Sequence, residues 1–192
     1  MKIVKQNAEL MSHNLPTEKF IEKVARICYK SEDKITEDSA LGLVNGLIRS
    51  NHWAMLENEY IYIKVDANAY INIVDDIPPQ YLKYLNFDIP YVSGSIRAWM
   101  ELYQNAKSFT DMNTDVIGEI FYQLSLKYPL FFEMLDRPII SYGVEVITRE
   151  EIEDVYRLYT QPSPLLPHTI KFTTPRAIAN ELVRHRVASF LV

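Results

Sequence analysis

Near the end of the chain a strand passes directly into a helix, and this junction constrains the fold more than any other stretch. Over residues 168–173, Ile170 and Phe172 alternate with Thr169, Lys171 and Thr173, the two-residue period of a strand. Thr174 follows, with a side chain suited to capping a helix, and Pro175 stands where a first-turn proline is favoured. The apolar positions then switch to helical spacing at Ile178, Leu182 and Val183, and the run ends in Arg184, His185 and Arg186. The fold must therefore combine strand and helix.

The first third of the chain reads the same way. Residues 2–5 suggest a short strand. Thr17 can cap a helix that buries Phe20, Val24 and Ile27 on one stripe. The pattern breaks over residues 31–34, and a second helix is expected after Thr36, with Leu41, Val44, Leu47 and Ile48 on its apolar face. Residues 51–57 fit neither helix nor strand. Ile61, Ile63 and Val65 then alternate with Tyr60, Tyr62 and Lys64, predicting a strand over 59–65 with one face buried. The middle, 66–165, is interrupted by Pro78, Pro79 and Pro90, with helices expected over 95–106 and 114–127. Pro162, Pro164 and Pro167 predict an extended connection before the last strand.

Composition excludes several classes. A chain of 192 residues with 48% hydrophobic and 23% charged residues can bury a core and is unlike a disordered polymer. A net charge of −5 argues against a general nucleic-acid binder, which needs a phosphate-neutralising surface. The single cysteine, Cys28, excludes an intrachain disulfide and a cysteine-rich zinc site. The first residues lack the apolar core of a signal peptide, and no stretch approaches the roughly 20 apolar residues that span a bilayer. A soluble, cytoplasmic protein is expected.

The basic cluster carries the most chemistry. At about 100° per residue, Arg184 and Arg186 diverge by about 200° around an ideal helix, so the two do not reach one point. One can meet a ligand while the other serves a second phosphate or a neighbouring subunit. Cations also favour a helix C-terminus whatever else they do. Cys28, beside Ile27 on an apolar stripe, is most simply a core residue and receives no catalytic role.

Set in its context, the run from Thr169 through Arg184-His185-Arg186 to Ser189 resembles the core strand and helix of the flavin-dependent thymidylate synthases. Their motif is Arg-His-Arg, seven residues of any type, then Ser. Pro175 matches the proline that opens the helix, and Ser189 a Ser common three places after the second Arg. His52 and Glu57, before an alternating strand, resemble the family's His-x-x-x-x-Glu segment. Arg26-Ile27-Cys28-Tyr29 resembles an Arg-Val-Ser-Phe segment of its first helix, with Cys in place of Ser.

The resemblance implies an α/β or α+β fold, a mixed sheet flanked by helices, as a single domain with 66–165 a largely helical insertion. The strands over 59–65 and 168–174 are then expected in one sheet. It also implies transfer of a methylene group from methylenetetrahydrofolate to dUMP, with FAD as cofactor and NADPH as reductant, in a homotetramer that binds neither nucleic acid nor membrane. His52, Arg184 and His185 would be catalytic. Cys28, His52, Glu57, Arg184, His185 and Arg186 would hold the cofactor, and Glu181 and Ser189 the nucleotide. Many members carry Gln where Glu181 stands; Glu can accept from the uracil N–H but not donate. The motif's last Ser would fall at position 194, beyond Val192. The expectation is therefore an enzyme, an inactive truncated form of one, or a relative that binds flavin or nucleotide without catalysis.

Overall fold

The computed structural model describes residues 5–11, 14–76, 82–86, 88–109, 115–157, 165–174 and 178. It combines helices with two antiparallel sheets rather than the mixed sheet expected. The chain divides into two compact units. One holds the described residues up to Asn58 together with those from Pro167, and the other is the continuous stretch Glu59–Leu166.

In the first unit, β1 (Asn7–Met11) pairs antiparallel with β6 (Thr169–Thr173), Leu10 facing Ile170 and Ala8 facing Phe172. The strand expected over residues 2–5 lies, apart from Lys5, outside the described residues. Ala8, Leu10, Ile170 and Phe172 share one face of this ribbon by the strand period, while Glu9 and Lys171 approach within 3.8 Å on the other. Both apolar pairs are exposed.

Helix α1 (Thr17–Tyr29) buries Phe20 and Val24 as the spacing predicts, with Ile21 and Ala25 widening the stripe. Thr17 is its first residue and not its cap; Pro16 holds the cap position without a side-chain hydrogen bond. Helix α2 (Ser39–Arg49) buries Ala40, Val44 and Leu47, whereas Leu41 is turned to the exposed side. The two helices end alike. Lys30 is left-handed (φ 50°), and Ser31 N–H reaches back to the Arg26 carbonyl at 3.0 Å. After α2, Asn51 is left-handed (φ 55°), and His52 N–H reaches the Leu47 carbonyl at 2.9 Å. In each case a left-handed residue lets the chain satisfy helix-end carbonyls while it reverses. A 3-10 turn, Trp53–Asn58, follows and is anchored by the buried Leu56.

The second unit is built on a four-stranded sheet in the order β3-β4-β2-β5. Its strands are β2 (Tyr60–Lys64), β3 (Lys83–Asn86), β4 (Pro90–Ser95) and β5 (Glu145–Ile147). Strand β2 is therefore in a different sheet from β6. Ile61 and Ile63 are buried as expected; on the other face Tyr62 is buried too, while Tyr60 and Lys64 are half-buried. Helices α3 (Ala67–Asp76), α4 (Ile96–Phe109), α5 (Val116–Lys127) and α6 (Arg149–Arg157) complete the unit. Ile117, Ile120, Phe121 and Leu124 of α5 are all buried, as their register predicts. Trp99, Tyr103, Phe121 and Phe132 meet in an aromatic core, with Trp99 edge-on to Phe121 at 6.4 Å between centroids. The stretch expected to be largely helical thus carries three strands as well.

Candidate functional site

Two of the three segments that carry the resemblance lie among the described residues, and the fold brings them together. Tyr29 closes α1, and its position is fixed by the reversal at Lys30. His52 leaves α2 through the matching reversal at Asn51, and the Trp53 indole N–H holds the next residue to the Ile48 carbonyl at 3.3 Å. The turn Trp53–Asn58 packs on α1. As a result the Tyr29 hydroxyl and His52 Nδ1 stand 3.5 Å apart, although 23 residues separate them in sequence. Both side chains are exposed, so a ligand could reach them.

The neighbouring positions have their own settings. Cys28, one residue before Tyr29, is half-buried. Glu57 is half-buried in the turn after His52. Arg26 is engaged within its own helix: its Nε and Nη2 donate to Glu22 Oε1 at 3.2 and 3.1 Å. The Glu22 side chain is only 2% exposed, so the guanidinium supplies the charge that a buried carboxylate requires. Glu181, Arg184, His185, Arg186 and Ser189 lie outside the described residues, as does the helix expected after Thr174 apart from Ile178, which is helical.

A second polar cluster, in the Glu59–Leu166 unit, was not foreseen. Glu59 precedes β2, and Arg149 opens α6 just past β5, which pairs with β2 through Tyr62 and Ile147. Burial pushes the Glu59 carboxyl up to about 7, and the Arg149 charge offsets only part of that. Burial likewise raises the phenols of Tyr62 and Tyr128, with Glu59 adding to each. Arg149 Nε in turn donates to Glu153 Oε1 at 2.8 Å. Glu59 can thus exchange a proton near neutral pH, a property shared by catalytic carboxylates and by structural ones in partly dry ion-pair networks. The signal in sequence is faint. Glu59 and Arg149 are 90 residues apart, joined only through the register of a three-residue strand.

Among the described residues, no group of three or more His, Cys, Asp or Glu side chains is placed to hold a metal ion. None of the described helices is long and apolar enough to cross a membrane. Compared with protein-family models, curated proteins and solved structures, the chain finds no match.

Proposed function

We propose that the protein is a flavin-dependent thymidylate synthase that makes dTMP from dUMP, with methylenetetrahydrofolate as carbon donor and NADPH as reductant. The observation that supports this reading best is the Tyr29–His52 contact of 3.5 Å, which joins the Arg-Ile-Cys-Tyr segment to the His-x-x-x-x-Glu segment. Strand β6, which leads in sequence to Arg184-His185-Arg186, belongs to the same compact unit.

Two described side chains support a flavin at this site. Tyr29 and His52 offer an exposed aromatic face and a hydrogen-bonding imidazole at the junction of two helix ends. In this reading Arg184 and Arg186 meet the pyrophosphate of FAD, for which a planar, permanently charged fork is suited. Bound FAD would carry reducing equivalents from NADPH to the nucleotide. Turning a methylene into a methyl group takes two electrons. With NADPH as their source, the folate leaves as tetrahydrofolate and is not oxidised. The chain's own part is to hold the reactants and place charge around them. Glu181 would accept from the uracil N–H, Ser189 would donate to the nucleotide, and a homotetramer in the cytoplasm is the proposed working form.

The test is the visible spectrum of the purified protein with and without added FAD, followed by an assay for dTMP and tetrahydrofolate. A flavin spectrum with formation of both products supports the proposal. Tight flavin binding without dTMP points to the non-catalytic relative, and absence of flavin binding rejects both the enzyme and a flavin-binding relative.

A further inference from the structure

The contact between Tyr29 and His52 has a chemical direction. A neutral imidazole carries its proton on either Nδ1 or Nε2, and the partner of one nitrogen decides which. Here the partner of Nδ1 is a phenol, at 3.5 Å. The phenol is the more acidic donor and the imidazole nitrogen the more basic acceptor, so the favoured arrangement has Tyr29 Oη–H donating to a bare Nδ1. The ring proton then sits on Nε2.

Neither backbone is free to abandon this arrangement cheaply. Tyr29 is the last residue of α1, and the two residues after it return N–H groups to Ile27 and Arg26 at 3.2 and 3.0 Å. His52 is tied to Leu47 by its own N–H at 2.9 Å, behind the left-handed Asn51. Two helix ends therefore hold the two backbones in place, and the side-chain torsions bring the rings to 3.5 Å.

We propose that Tyr29 is a positioning residue that fixes His52 as the Nε2–H tautomer, so that the imidazole presents a donor and not a base to the ligand of this site. The identity of that ligand rests on the flavin-dependent reading; the tautomer does not. Under that reading the matching group is a hydrogen-bond acceptor on the flavin. The neutral His52 ring then stabilises negative charge that develops there by donating a hydrogen bond, and takes no proton from substrate.

The experiment is nitrogen-15 NMR of the full chain labelled at histidine, at a pH where the rings are neutral. His52→Asn identifies the His52 resonances among the four histidines. The wild type should show the proton on Nε2. Tyr29→Phe keeps the ring, removes the hydroxyl and should return His52 to a mixture of tautomers. In a titration with FAD the same variant should bind about 2- to 10-fold more weakly, the usual worth of one neutral hydrogen bond. A proton on Nδ1 in the wild type, or one tautomer pattern shared by both proteins, overturns the proposal. A tautomer that responds to Tyr29→Phe in a protein that binds no FAD upholds the positioning role and rejects the flavin reading.

Discussion

A carboxyl group withdrawn from water loses its preference for the charged form, and Glu59 is such a group. Its acidity moves from 4.5 to about 7 because burial outweighs the attraction of Arg149. Between those values the folded protein holds a proton that the unfolded chain has already released. The stabilisation linked to that proton is complete below pH 4.5, declines as the pH rises through this window, and is gone above about 7. Replacing Glu59 with Gln, which stays neutral, should flatten the pH dependence between 5 and 7. It should also raise stability at pH 8 relative to wild type by on the order of 1–3 kcal/mol. Urea denaturation of both proteins at pH 5 and pH 8 is the check. Parallel losses in the two proteins would show that Glu59 stays ionised in the folded state. No residue pattern announces this, since a Glu before an alternating strand looks like any solvated strand end.

At the level of elements, α6 begins with a reciprocal cap. The Glu151 N–H donates to Thr148 Oγ1 at 3.2 Å, and the Thr148 N–H donates to Glu151 Oε2 at 2.7 Å. The Thr148 backbone N–H is the main reason the Glu151 carboxyl titrates below the usual carboxylate range. Thr148→Ala should cost about 1 kcal/mol, with little change elsewhere. A denaturation midpoint equal to wild type would mean that the cap contributes nothing. The Thr-x-x-Glu spacing was available in the sequence, as was the aspartate before α5, where Asp115 accepts from Ile117 N–H at 3.2 Å. Both signals mark helix starts directly.

Helices α1, α2, α4 and α5 were legible because their apolar spacing repeats over ten or more residues. Strands β3 and β5 were not, being four and three residues long and without full alternation. Sheet membership was misread for a different reason. Alternation in 59–65 marks a strand but says nothing of its partners, and those prove to be β4 and β5. Of the site, the nearness of Tyr29 and His52 follows from two helix reversals at non-glycine residues, which sequence signals for turns pass over.

On the scale of the whole molecule, one compact unit is continuous and the other is assembled from both ends of the chain. The continuous unit pairs β2 with β4 across about 30 residues, whereas β1 and β6 pair across about 160. Bringing distant segments together costs more chain entropy, so the two sheets should not form together. In pulsed hydrogen exchange during refolding, amides of β2 and β4 should gain protection before those of β1 and β6. Simultaneous protection would show that the units fold as one cooperative body.

That separation has a consequence on the ribosome. Strand β1 is translated about 160 residues before its partner, β6. At about 5–20 residues per second, this leaves β1 unpaired for roughly 8–30 seconds. Folding steps within the Glu59–Leu166 unit can be far faster than that interval. The Glu59–Leu166 unit can therefore complete its own sheet while β1 still waits for β6 to be translated.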